Sequence, residues 1–283
     1  MADGKGLVWL ASYPKSGNTW FRMILANLAA GPDRAVTINE AATHSEFAAS
    51  RGIFEAATLL ESTLLFDDDI DALRPSIFQD MARDAARPVW VKVHDAFTHL
   101  PDGRPMLGTS ARAAIYLIRD PRDVAVSLAH FNGSSIDQAI TRLNATGSSL
   151  SVDRFGAPSQ LRQRLLDWSG HANSWLDQTL VPVLTIRYED LKTEAVAGIA
   201  RALAFVGQDA ALANVERAVT NAAFERLQHQ EAEAGFVERG LGVAPFFRAG
   251  RAGAWREILS AEQRARIESA HAPMMDRLGY ARG

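Results

Sequence analysis

The sequence predicts an α/β protein, an open parallel sheet flanked by helices. Three observations lead there. Four short runs, at 7–12, 89–93, 113–118 and 183–187, are apolar almost throughout, the pattern of parallel strands covered on both faces. Helical periodicity follows the first, third and fourth of them, and such alternation builds open parallel sheets. The chain has 283 residues, 47% apolar and 22% charged, ordinary for a globular protein with a sizeable core. We read it as a single domain over residues 1–283.

The first strand runs into Ser12-Tyr13-Pro14-Lys15-Ser16-Gly17-Asn18-Thr19-Trp20, and a helix is expected over 18–29. Pro14 and Gly17 shape a tight turn, and N–H groups at the start of the helix point at an anion. Lys15 adds a point charge, while Ser16, Asn18 and Thr19 add donors. An ordinary turn and cap would explain a lone lysine or glycine, but not all nine residues. The loop is not a Walker A sequence, whose glycine, lysine and serine or threonine spacing is absent.

The segment 31–73 is acidic and partly helical, and a helix is expected over 75–86. The run Asp67-Asp68-Asp69 with Asp71 could suggest Mg²⁺, but a solvated helix cap fits better, because Mg²⁺ needs a defined octahedral set of oxygens. The second strand ends in Lys92-Val93-His94-Asp95. Alternation puts Lys92 and His94 on one side. A lone histidine is more often structural. This one follows the carboxyl end of a parallel strand, where open α/β sheets bind ligands, and histidine accepts a proton near neutral pH.

The third strand ends in Arg119-Asp120-Pro121-Arg122-Asp123-Val124-Ala125-Val126-Ser127, with a helix expected over 121–131. Asp120 suits the N-cap, Pro121 the first helical position and Asp123 the positive helix end. Capping leaves Arg119 and Ser127 unexplained, and together they could hold a phosphate. The segment 132–158 is irregular, and a helix is expected over 160–178. The fourth strand ends in Tyr188-Glu189-Asp190-Leu191. Asp190 is expected to cap a helix over 191–206, leaving Tyr188 to reach a ligand.

Helices are expected at 210–221 and 261–278, the latter opened by a Ser260 and Gln263 capping box. Between them, 231–253 is rich in glycine and arginine. Its end, Phe246-Phe247-Arg248-Ala249-Gly250-Arg251-Ala252-Gly253, reads equally as a basic surface loop or a phosphate grip. The three irregular segments, 31–73, 132–158 and 231–253, are expected to form a substrate pocket and its lid.

Several classes are excluded or disfavoured. There is no cysteine, so disulfides, thiolate nucleophiles and cysteine metal sites are out. The histidines lack a metal-ligand spacing and no serine-hydrolase elbow is present; we expect no metal. A net charge of −3 argues against bulk nucleic-acid binding. No signal peptide or transmembrane run is recognised, so a cytoplasmic setting is expected. Arginine over lysine and abundant alanine point to a GC-rich bacterial source.

Taken together, these motifs resemble those of the soluble sulfotransferases that use 3′-phosphoadenosine 5′-phosphosulfate (PAPS). The match extends from Ser12 to Trp255. Tyr13 to Trp20, Arg119 to Ser127 and Tyr188 to Lys192 are specific in combination. The resemblance implies a P-loop-NTPase-like sulfotransferase fold and in-line transfer of a sulfuryl group to a hydroxyl or amine of a small acceptor. 3′-Phosphoadenosine 5′-phosphate (PAP) would be the product. It implies that Ser16, Gly17, Asn18 and Thr19 cradle the 5′-phosphate, Trp20 stacks on adenine, and Tyr188 and Phe224 line the nucleoside. Arg119 and Ser127 would bind the 3′-phosphate, with Arg248 and Gly250 closing over it. The implied catalytic set is His94 as base with Lys15, Lys92 and Ser127. A sulfuryl group carries less charge than a phosphoryl group, so lysine and backbone donors suffice without Mg²⁺.

The chain departs from the family at Asn18, at Ala249, where lysine is common, and at Ala222-Ala223, where a polar pair is frequent. The dimer motif of animal members is not kept at Arg256, Ser260, Ala261 and Ala265, so no oligomeric state follows. A P-loop kinase using ATP, or an inactive nucleotide-binding protein on the same fold, remains an alternative. The apolar and aromatic content of the pocket segments suggests a phenolic, lipidic or peptide acceptor. They lack the dense basic groove that an acidic glycosaminoglycan would need.

Overall fold

The computed structural model describes residues 5–151, 159–239 and 245–282. In chain order, β1 (Gly6–Ser12) leads to α1 (Asn18–Ala29), α2 (Ile38–Ala42), β2 (Glu46–Phe47), α3 (Arg51–Thr58), a 3-10 turn at Ser62–Leu64 and α4 (Asp67–Asp84). Next come β3 (Pro88–Val93), β4 (Ala113–Ile118), α5 (Pro121–Asn132), α6 (Ile136–Leu143), β5 (Ser149–Leu150), β6 (Gln163–Arg164) and α7 (Trp168–Leu176). The chain then forms β7 (Val183–Arg187), α8 (Tyr188–Thr193), α9 (Ala195–Phe205), α10 (Leu212–Asn221), α11 (Phe224–Ala234), α12 (Trp255–Ile258) and α13 (Ala261–Arg277).

The main sheet has the order β2-β3-β1-β4-β7, and β5 and β6 form a separate ribbon. β3 pairs parallel with β1, from Gly6 opposite Pro88 to Ala11 opposite Val93, and with β2. Every residue of β4 is buried, and so is every residue of β1 after Gly6. Strands covered on both faces have no polar side to alternate with, which is why the apolar runs mark them. The chain winds from β1 to β3 on one side and later to β4 on the other. The loops after β1 and β4 therefore flank the switch point of the topology, where open sheets bind ligands.

Two compact units divide the residues. The first holds Met1–Tyr13, Glu46–Tyr116 and Ala145–Thr185, and the second Pro14–Ser45, Leu117–Asn144 and Ile186–Gly283. In the first, α4 lies against β1, with Trp9 edge-on to Phe78 at 4.8 Å. Ala49, Phe54, Ile70, Ile77 and Leu161 form a further core. In the second, α1 packs on α10 and α2, and α5 packs on α6 and α13.

The local signals explain most boundaries. Asp120 caps α5 by accepting from the Arg122 N–H, with Pro121 next in line, and Gly133 ends the helix in the left-handed region. The Ser260 and Gln263 capping box opens α13. Three expected helices need correction. Helix 160–178 is instead β6 followed by α7. Residues 163–164 pair with β5, Asp95 and Ala96 bond the Arg164 backbone, and Asp167 caps a later start at Trp168; these bonds outweigh helix propensity. Helix 75–86 begins at Asp67 and contains Pro75, because buried Ile70, Asp71 and Arg74 hold the preceding turns. Helix 191–206 is two helices, α8 and α9, broken at Glu194. Asp190 lies inside α8 and does not cap it; Arg187 takes that position.

The irregular segments also hold more structure than expected. Segment 31–73 supplies α2, β2, α3 and the start of α4; segment 132–158 supplies α6 and β5. Residues 152–158 of that segment and 240–244 of 231–253 lie outside the described residues. Asp67, Asp68 and Asp69 do open α4, but Asp71 is not part of a solvated cap. It is buried and paired with Arg74, Arg162 and Arg164.

Candidate active site

Within the second unit, the turn after β1 is bent by two left-handed residues, Lys15 at φ 71° and Gly17 at φ 98°. A non-glycine residue in that region is strained and needs surrounding support. Arg119 provides some of it. One end of its guanidinium donates to the Lys15 carbonyl at 3.2 Å, the other to the Arg251 carbonyl at 3.1 Å, and its Cζ lies 4.5 Å from the centre of the Tyr188 ring. A Cβ on Gly17 would sit 2.7 Å from that same ring. Lys15, Gly17, Arg119 and Tyr188 thus form one cluster, joined by Arg251 through its backbone.

The turn feeds the start of α1, where Gly17 occupies the N-cap without a side chain. Asn18 is the buried first residue of α1, and Thr19 donates to Glu238 at 3.5 Å. Ser16 is fully buried, and its hydroxyl has no hydrogen-bond partner among the described residues. Such a group costs about 1–3 kcal/mol if left alone, and an anion oxygen on the helix start would satisfy it. Trp20 donates from Nε1 to the Ala222 carbonyl at 2.9 Å, and its ring lies 6.2 Å from Tyr188.

The Lys15 ammonium sits 4.1 Å from the Phe131 ring centre and 4.0 Å from that of Phe246. Phe131 and Phe246 are edge-on to each other. Phe246 opens the run that ends at Gly253, but neither ring's approach to Lys15 is marked by the sequence motifs, since such contacts leave no spacing signal. Ser127 is half-buried on α5, four residues before Phe131. Arg248 is exposed. The His130 pKa is lowered, by burial foremost, then by the Arg248 charge, with Lys15 adding to it. Both cations therefore act on one imidazole.

Phe224 opens α11 beneath Gly250, which has φ 57°; a Cβ there would fall 2.3 Å from the phenyl ring. Only glycine fits this crossing. Asp123, expected simply to favour the helix end, does more. Its buried carboxylate accepts from the backbone N–H of Gly253 at 2.6 Å and of Trp255 at 3.0 Å. It ties the loop carrying Arg248 and Gly250 to α5. Lys192 is a further basic group that the motifs do not explain. Its Nζ lies 5.1 Å over Trp20, and burial lowers its pKa.

The first unit holds Lys92 and His94 at the end of β3. Lys92 lies 4.7 Å over the Phe47 ring of the neighbouring strand. His94 Nδ1 is 2.8 Å from the Ser12 carbonyl and 3.2 Å from its hydroxyl. A carbonyl can only accept, so Nδ1 carries a proton, and in the neutral ring the lone pair is then on Nε2. Beside it, Asp95 is fully buried and gripped by Arg74 at 2.6 Å. No group of three or more potential metal ligands occurs among the described residues.

The sulfotransferase-domain profile matches residues 5–279. The chain belongs to the sulfotransferase family. The activity of this family is transfer of a sulfuryl group from PAPS, which also matches the motifs read from the sequence. A cytosolic sulfotransferase of Arabidopsis thaliana, number 8, is 25% identical over 270 residues, covering 92% of this chain and 73% of its own. Sulfotransferase 1A1 of Canis lupus familiaris is 23% identical, with 96% and 84% covered. Among solved structures, mouse sulfotransferase SULT7A1 complexed with PAP superposes with a TM-score of 0.60 at 19% identity, covering 96% of this chain and 85% of that one. Retinol dehydratase in complex with retinol and PAP gives 0.63 at 19%, with 95% and 81% covered. The expected P-loop-like sulfotransferase fold is therefore borne out.

Proposed function

We propose that this sulfotransferase binds PAPS through the residues of its second unit and deprotonates a small hydroxyl or amine acceptor with His94. The observation that carries the donor half is the loop at Lys15 to Trp20. It combines a strained lysine, a buried hydroxyl without a partner among the described residues, and a glycine-capped helix start. These features suit a 5′-phosphate on Ser16, Gly17, Asn18 and Thr19. Arg119 and Ser127 take the 3′-phosphate, Arg248 and Gly250 close over it, and Trp20, Tyr188 and Phe224 surround the nucleoside. Bound PAPS supplies the sulfuryl group and a phosphate leaving group.

Each residue then has a physical task. Lys15, half-buried beside the Phe131 and Phe246 rings, presents a positive charge to a leaving oxygen. His94 holds its Nδ1 proton on the Ser12 carbonyl and takes the acceptor proton on Nε2. Lys92 and Ser127 assist in stabilising charge. Positioning supplies most of the acceleration, as in phosphoryl transfer. We read both units as parts of one domain, because a single family match runs through both. A bacterial, cytoplasmic enzyme remains our reading of the composition. No helix among the described residues is long and apolar enough to cross a membrane.

Thermal stabilisation by PAP, compared with ADP and with ATP plus Mg²⁺, tests the donor site. At about 100 times its dissociation constant PAP should add about 2.7 kcal/mol, and Arg119→Ala should lose that gain. Equal or better stabilisation by ATP would favour a kinase and overturn the donor assignment.

A further inference from the structure

His94 is held by its backbone as well as by its ring. Its carbonyl lies 3.1 Å from Nε2 of His171 on α7. One turn further along α7, Trp175 donates from Nε1 to the Asp95 carbonyl at 3.1 Å. Residues four apart share a helix face, so α7 fastens two successive peptides at the end of β3. The Asp95 carboxylate completes the clamp, taking both terminal nitrogens of Arg74 and the Arg164 backbone N–H.

The proton positions follow from the partners. The His94 carbonyl can only accept, so His171 Nε2 carries hydrogen. Burial lowers the His171 pKa to about 4, so the ring is neutral at working pH and its Nδ1 is an acceptor. The Tyr116 hydroxyl, 2.9 Å from that nitrogen, must donate to it. The His171 ring is stacked on Tyr116 and edge-on to Tyr13, and all three side chains are buried. A directed chain therefore runs from the Tyr116 hydroxyl through the His171 ring to the peptide of His94.

We propose that His171, with its tautomer set by Tyr116, is a positioning residue that holds the His94 peptide and thereby aims its Nε2 for proton transfer. The proposal rests on the reading of His94 as the base. His171 touches no reacting atom in this scheme. It acts through geometry, and small misplacements of a reacting group are costly to rate. A merely structural histidine would contribute to stability and leave turnover of the folded protein unchanged.

Three substitutions in the full chain separate these cases. His171→Phe keeps ring volume and loses the donor. His171→Gln keeps an N–H that can reach the carbonyl. Tyr116→Phe removes only the group that sets the tautomer, and serves if the His171 variants fail to fold. Turnover is measured with PAPS and 2-naphthol, and PAP affinity by calorimetry. We expect His171→Phe to lower kcat about tenfold or more while KM for PAPS and PAP affinity stay within about twofold. His171→Gln should recover most of the loss, and Tyr116→Phe should fall between. In ¹⁵N spectra the imidazole signals of His94 should change in His171→Phe and Tyr116→Phe and return towards wild type in His171→Gln. Unchanged His94 signals in both Phe variants, or unchanged kcat in the folded variants, would overturn the positioning role. A wild type that binds PAP but turns over no acceptor would count against the proposed activity instead, and the spectra would still decide the positioning.

Discussion

At the scale of single residues, the proton on His94 is assigned by its partner, the Ser12 carbonyl 2.8 Å away. Nε2 is then the basic atom. His94→Ala should lower kcat at least about 10²-fold with PAP affinity unchanged, checked by single-turnover assay with PAPS. Near-normal turnover would remove His94 from the base role. Position at strand ends makes Lys15, His94 and Arg119 legible in the sequence, because the apolar runs show where the strands stop. The meeting of Phe131 and Phe246 is not legible. They meet at the Lys15 ammonium from far apart in the chain, and no periodicity records such a contact. His171 is equally silent, since a histidine inside a helical pattern looks like any other core residue until its two nitrogens are seen to have partners.

Between elements, the connection that matters most for the proposed nucleotide site is the one from α5 to the loop at 248–253. The Asp123 carboxylate accepts two backbone N–H groups there, and charge-assisted bonds of this kind are strong. Asp123→Asn replaces one acceptor with a donor facing a donor. PAP affinity should fall about tenfold, while AMP, which lacks the 3′-phosphate, should be affected by no more than about twofold; calorimetry with both ligands checks this. Equal losses for both would mean that the whole nucleotide site had shifted. Local chemistry makes some elements easy to read, such as the Asp120 and Pro121 start of α5 and the Ser260 box of α13. It misleads where tertiary bonds dominate. Gln163 and Arg164 sit in a run that suits a helix, yet pairing with β5 pulls them into a ribbon. Glu194 breaks an otherwise continuous helical pattern for which the sequence offers no glycine or proline warning.

For the molecule as a whole, burial of neutral His171 couples stability to pH. Its pKa is about 4 in the folded chain against a reference of 6.5. Between those values the unfolded chain binds more protons, so stability is full above about pH 6.5 and falls as pH drops towards 4. The loss across that window is about 3 kcal/mol. Urea unfolding at pH 7 and pH 4 should show this extra loss in the wild type and not in His171→Gln; equal slopes would mean that the ring charges freely when folded. The second unit also has a consequence for synthesis. It is assembled from Pro14–Ser45, Leu117–Asn144 and Ile186–Gly283, and α10 and α11, which pack on α1 and α2, lie in the last of these. At about 5–20 residues per second, the Lys15 loop leaves the ribosome on the order of ten seconds before the helices that cover its neighbours are made. A nascent chain interrupted before Ile186 has α2 but not α10, so the face of α1 that α10 covers is left without its partner. In such a fragment the half to which nucleotide binding is proposed is incomplete, and it is the last part of the chain to be finished.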